Sequence, residues 1–223
     1  MVAPEFRSSS KSFLTALCVA TAAFLVPERL DAHPHEFVSM HVKAEFDDGG
    51  LLNGLTYHWN FDEFFTAYAV EGQDKNKNGI AEPEELQALL EEILGNIDRI
   101  NYFTVFDEQG AEPEFDRPKP IGSEMIDRKL NIAFTLPFKV PVDLKQNKLR
   151  FSIYDDEFYI AMNFDPKGIE KTVSSKMKGC GAILETADPD EEIVTFASSL
   201  GKEDSSGGGL GAYFAEWVTL SCK

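Results

Sequence analysis

Beyond His58 the chain contains no histidine, so its last 165 residues offer neither an imidazole base nor an imidazole metal ligand. The Ser and Cys residues of that region lack the base partner that an activated nucleophile requires. No Gly-rich phosphate loop and no nucleophile elbow occurs anywhere in the sequence. Cysteine is scarce, with three among 223 residues. Basic residues are also few: 21 Lys and Arg face 38 Asp and Glu, leaving a net charge of −17. Such a surface repels nucleic acid and anionic lipid and favours cations and basic partners. After residue 32 no stretch is long and apolar enough to span a bilayer as a helix. Nothing in the sequence demands an enzyme, and the chain reads as a binding protein.

The first 32 residues read as a signal peptide. Arg7 and Lys11 form a positive start, and Ser12 to Val26 is an apolar run of h-region length, too short for a typical spanning helix. Pro27 and Leu30-Asp31-Ala32 close it, with Ala32 at the position before the cut. An uncleaved anchor is the alternative. Cys18 falls inside the removed segment. The expected mature chain, 33–223, begins His33-Pro34-His35 and carries its charge into an oxidising compartment. It is long enough for one generous domain or two small ones. The two remaining cysteines, Cys180 and Cys222, most simply form one disulfide. The alternative, two thiolates on a metal, finds no further ligand nearby in sequence.

The fold class expected is α+β, mainly antiparallel β and sandwich-like, as a single β-rich domain with a helical insert at about 61–97. Residues 35–46 alternate, with Val38, Met40, Val42, Ala44 and Phe46 on the apolar face, as a half-buried strand does. Asp47-Asp48-Gly49-Gly50 turns the chain. Leu55, Tyr57, Trp59 and Phe61 then continue the pattern on a second strand. Phe61, Phe64, Phe65, Tyr68 and Ala69 fall at helical spacing, as do Leu86, Leu89, Leu90, Ile93, Leu94 and Ile97. Further strands are expected at 102–106, 129–136, 148–154, 158–164 and 214–222. A short helix is expected over 188–200, with Asp188 as cap and Pro189 in its first position. The Gly/Ser-rich stretch 201–209 reads as mobile.

Between the two helical patterns lies a twelve-residue loop with EF-hand spacing. Asp74, Asn76 and Asn78 occupy positions 1, 3 and 5, Gly79 the turn, Ile80 the backbone-carbonyl position, Glu82 position 9 and Glu85 the bidentate position 12. The alternative is a merely polar helix–helix turn. Asn at positions 3 and 5, with Lys75 and Lys77 beside them, lowers the ligand charge. The expected calcium affinity is that of extracellular modules, about 0.1–1 mM. An unpaired hand must bury its helices against the β-domain, which favours a structural ion over a switch.

His33, His35, His41 and His58 form the second constellation. In the simplest hairpin Phe46 lies opposite Leu51 and His58 opposite Ser39, with His41 a diagonal neighbour. A slip of two residues pairs His41 with His58. A slip of one would divide the apolar residues between faces. In either allowed register His35, His41 and His58 share a face, and imidazoles suit Zn, Ni, Cu and Fe. The alternative is that the histidines are solvated strand residues. Pro34 has no N–H, which blocks a copper chelate through the second residue's amide. A chelate by the amine and imidazole of His33 remains open.

The order of these features resembles the DUF1007 family of bacterial periplasmic proteins. The likeness rests on the Ala32-His33-Pro34-His35 start, Trp59-Asn60-Phe61-Asp62-Glu63, and the EF-hand-like loop. It continues through Tyr154-Asp155 with Tyr159, Cys180, and Leu210-Gly211-Ala212-Tyr213-Phe214 running on to Cys222. The resemblance implies an accessory to a nickel/cobalt-type membrane permease that handles divalent metal, zinc included. Family loops often carry Asp where this chain has Asn76 and Asn78. Two other classes stay open: a calcium-stabilised adaptor with no transition metal, and a copper enzyme using a terminal histidine chelate.

Overall fold

The computed structural model describes residues 33–169, 172–174, 177–201 and 204–223; the expected signal peptide lies outside them. The elements follow in the order β1 (Glu36–Phe46), β2 (Leu52–Phe61), α1 (Glu63–Ala69), α2 (Pro83–Ile97) and a 3-10 segment Asp98–Phe103. Then come β3 (Thr104–Phe106), β4 (Lys119–Ile126), β5 (Lys129–Val142), β6 (Leu149–Ile153), β7 (Ile160–Phe164), and α3 (Pro166–Ile169). The chain ends with β8 (Cys180–Glu185), α4 (Glu191–Ser199), α5 (Leu210–Tyr213) and β9 (Trp217–Cys222). The fold is α+β with two mostly antiparallel sheets. One is ordered β4-β5-β2-β1-β7, the other β3-β6-β9-β8. Only the β1–β7 pairing is parallel among the described strands.

The alternation read in the sequence builds the core. Val38, Met40, Val42 and Ala44 of β1, Leu55, Tyr57 and Trp59 of β2, and Leu130, Ile132, Phe134 and Leu136 of β5 are all buried. They join Phe151, Ile153, Val218 and Leu220 of the second sheet in one hydrophobic cluster. Tyr57 is fully buried and stacks on Phe134, centroids 5.1 Å apart. Its hydroxyl meets the Thr104 hydroxyl at 3.0 Å, which joins the two sheets by a hydrogen bond inside the core. Burial pushes the Tyr57 phenol far above its ordinary range. Leu86, Leu90 and Leu94 of α2 bury into the same cluster, so the helical segment shares the core of the sheets.

Several boundaries differ from the sequence expectation. Strands β4 and β8 are additions. The chain enters β4 through Lys119-Pro120, where a proline is tolerated because the strand is an edge. Helix α4 starts at Glu191 with Asp190 in the capping position, two residues beyond the expected Asp188. The last strand begins at Trp217, because residues 210–213 make the turn of helix α5 first. Tyr102 and Phe103, expected to start a strand, instead take left-handed backbone angles, φ 55° and 59°, before β3.

Cys180 and Cys222 are direct partners across β8 and β9 and form the disulfide, closing a separation of 42 residues. Replacing both with serine is expected to cost about 3–4 kcal/mol from lost loop closure. Urea unfolding of the oxidised parent against the double variant measures it.

Candidate metal centre

The β1–β2 hairpin decides where two of the histidines go. A bulge between Glu45 and Phe46 shifts the pairing, so Phe46 faces Leu52 and His41 faces His58 directly. Asp47 sets this turn: its backbone N–H donates to the Leu51 carbonyl and its carboxylate accepts from the Leu51 N–H at 2.8 Å. The offset from the simplest register is two residues, so the face assignment survives while His58 loses Ser39 as its partner. The two rings lie 5.5 Å apart at 29°. Partial desolvation against the sheet and the Lys43 ammonium hold the otherwise exposed His58 imidazole below its ordinary value, against the opposing pull of Glu45.

His33 and His35 stand elsewhere. Six residues of extended chain separate His35 from His41, roughly 20 Å at strand rise. The four histidines therefore make two pairs, where a single cluster was expected. Among the described residues no three His, Cys, Asp or Glu side chains stand together as a ready metal cage. The His33 and His35 rings are 4.9 Å apart, edge to face. Tyr159 lies 4.6 Å from His35 and 5.9 Å from His33. His33 is only 6% exposed, and its Nδ1 is buried without a hydrogen-bond partner among the described residues.

The surroundings of this pair are held by two carboxylates. Asp155 accepts from the N–H groups of Tyr159 and Ile160 at 2.8 and 3.1 Å, shaping the loop that carries Tyr159. The Tyr159 carbonyl then accepts from the His35 N–H at 2.8 Å. Gly211 packs on this loop so closely that a Cβ would collide with the Asp155 carbonyl, and its N–H donates to the Asp156 carbonyl. Asp62 accepts from Phe37 N–H at 2.7 Å on one oxygen, and from Phe64 and Phe65 N–H on the other. It thus fastens the start of β1 to the first turn of α1. Between these acids, the Glu36 carboxyl is raised above its ordinary value, first by burial and then by Asp62 and Asp155. From the sequence Asp155 reads as part of an acidic turn, Asp155-Asp156-Glu157, and Glu36 as one residue of an alternating strand. The one signal in the sequence was Asp62 between a strand and a helical pattern, as an N-cap stands.

The loop 74–85 closes on itself through its motif residues. Asp74 accepts from the N–H groups of Asn78 and Gly79, and the Asn76 side-chain oxygen also accepts from Asn78 N–H. The Asn78 side-chain oxygen accepts from Ile80 N–H. Glu85 reaches back to accept from Lys75 and Asn76 N–H and from Glu82 N–H. Glu82 accepts from the side-chain amides of Asn76 and Asn78. Gly79 takes φ 89°, the left-handed angle that a residue with a Cβ resists. Helices α1 and α2 flank the loop, and α1 is only 7 residues long.

Two packed sheets, one histidine pair across the first hairpin and another just before it, and an oxygen-rich loop between two helices define a β-rich α+β protein. The chain belongs to the family described as "Protein of unknown function (DUF1007)", matching it over residues 18–222. It is similar to a protein of Haemophilus influenzae described as uncharacterized, 29% identical over 198 residues, covering 86% of this chain and 92% of that one.

Asp62 tests how the site is held. Asp62→Ala removes a helix cap and the tie to Phe37 and is expected to cost about 1–2 kcal/mol. Chemical denaturation of this variant beside Asp62→Asn, which keeps an acceptor, reads the difference.

Proposed function

We propose that the protein is a periplasmic accessory of a divalent-metal uptake system. It binds Zn²⁺ or Ni²⁺/Co²⁺ as cargo at the His33–His35 pair and carries a structural Ca²⁺ in the EF-hand-like loop. The observation that carries this reading is His33 itself. A buried imidazole nitrogen with no partner is costly, and here it sits 4.9 Å from a second imidazole. A metal would relieve that cost, and imidazole nitrogens suit these ions. Cleavage before His33 would add the terminal amine as a third donor. The Glu36, Asp62 and Asp155 carboxylates favour a cation nearby, as does the net charge of −17.

The loop offers the complementary chemistry. Asp74, Asn76, Asn78, Glu82 and Glu85 present only oxygen, and the Ile80 carbonyl would complete the set, which suits calcium. The hard ion and the softer ion would therefore each have a separate place. The partner would be a membrane permease of nickel/cobalt type, with this protein outside the bilayer and no role in binding nucleic acid. Among the described residues no helix is long and apolar enough to cross a membrane. A second reading, a calcium-stabilised adaptor, draws on Phe64 and Tyr68, one turn apart on α1 and 87% and 79% exposed.

Calorimetry with Zn²⁺ and Ni²⁺ on protein beginning at His33 tests the first reading. His33→Ala with His35→Ala is expected to weaken the tight site at least tenfold, and one residue added before His33 should weaken it in part. Equal affinity in parent and double variant would sink the proposal and leave the adaptor. For the loop, about 10 mM calcium should stabilise the parent by about 1.4–2.7 kcal/mol at a Kd of about 0.1–1 mM. Asp74→Ala and Glu85→Gln should remove that gain in thermal unfolding.

A further inference from the structure

The His41–His58 pair lies on the outward face of the larger sheet, in surroundings that its rung dictates. Across the sheet that rung reads His41, His58, Ala133, Gly122. Two large rings therefore stand beside the two smallest side chains, and a hollow opens next to the imidazoles. The neighbouring rung reads Ser39, Asn60, Asn131, Glu124, all polar. The result is a cavity of about 580 Å³ lined by both histidines, with Asn60, Asn131, Glu124 and Asp165 around it. The Asn60 amide donates to the Asn131 side-chain oxygen at 2.8 Å, which orders one wall.

The His41 ring is covered from the other side by backbone. A Cβ at Gly168 would come within 2.8 Å of His41 Cδ2, so only glycine lets α3 sit there. Asp165, at the start of α3, is fixed by its N–H to the Met40 carbonyl at 2.8 Å. The ring of His41 is thus held by packing, while His58 is exposed and can turn. Coordination at about 2.0–2.1 Å would need the two nitrogens roughly 3–3.5 Å apart. Ring centroids 5.5 Å apart put both imidazoles within reach of one ion.

We propose that His41 and His58 form a second site for a divalent transition-metal ion, distinct from the N-terminal pair. Two imidazoles do not fill a tetrahedral shell. The remaining positions face the hollow and stay open to water or to donors brought by another molecule. Such a site exchanges its ion readily and suits transfer more than storage. It does not depend on the His33–His35 pair.

Four mature proteins separate the two sites: the parent, H33A/H35A, H58N, and the triple variant H33A/H35A/H58N. His58 is exposed, so H58N is expected to leave the fold intact, checked by circular dichroism. Zinc is titrated by calorimetry, with bound metal counted by elemental analysis after equilibrium dialysis against a fixed free zinc concentration. The parent is expected to bind two ions and H33A/H35A one. The triple variant should bind at least tenfold more weakly than H33A/H35A, and the His41 ring resonances should shift with zinc only where His58 is present. A single parental ion lost in H33A/H35A and indifferent to H58N would overturn the second site alone. A single ion lost in H58N and indifferent to H33A/H35A would support this site and overturn the N-terminal one.

Discussion

One carboxylate organises the end of the molecule that carries the first histidines. Asp62 ends β2, caps α1 with one oxygen and holds the Phe37 N–H of β1 with the other. Its own N–H donates to the Phe37 carbonyl, so the hairpin continues one residue past its last strand pair. A buried threonine extends the arrangement. The Thr66 hydroxyl donates to the Asp62 carbonyl and accepts from the Leu130 N–H, tying α1 to β5. The helical segment, the hairpin and the central strand are thereby set relative to one another by a few polar contacts. Such contacts are strong in partly dry surroundings and demand fixed geometry. The same acid lies close enough to raise the Glu36 carboxyl.

The second half of the chain supports that end without supplying a histidine. Asp155 bends the loop before β7, Tyr159 lies against both N-terminal imidazoles, and Gly211 lets the segment after α4 approach the Asp155 carbonyl. Residues 50 to 180 positions apart in sequence thus meet around His33 and His35. His41 and His58 sit on strands, where side-chain direction is fixed by the pleat, whereas His33 and His35 lie just before β1. Oxygen donors sit on a loop, where backbone and short side chains can fold round one point.

Much of this was legible in the sequence, for definable reasons. Alternation from Val38 to Ala44 and from Leu55 to Phe61 fixes which side of each strand is buried, and burial is strong enough to forbid a one-residue slip. Parity therefore places His41 and His58 together. The register itself depends on the Glu45–Phe46 bulge and on how Asp47 closes its turn, which no periodicity reports. A shared face does not imply proximity: His35 and His41 lie on the same side yet stand too far apart along the strand to share an ion. Strand β4 was hidden by Pro120 and Gly122, which read as loop residues but are tolerated on an edge. Strand β8 was hidden because its alternating residues remain largely exposed at a sheet margin. The pairing of Cys180 with Cys222 followed from there being no other cysteine to pair with after residue 32.

Strand β1 comes first among the described strands but lies inside its sheet, with β2 on one flank and β7 on the other. Its first partner follows after a turn of a few residues; its second is more than a hundred residues away. Local contacts close early and distant ones late, because a long loop must first lose its freedom. The two histidine pairs consequently belong to different moments of assembly. The pair opposed across the hairpin exists as soon as the hairpin does. The pair beside Tyr159 exists only when the chain has returned from the far side of the molecule to flank its own beginning.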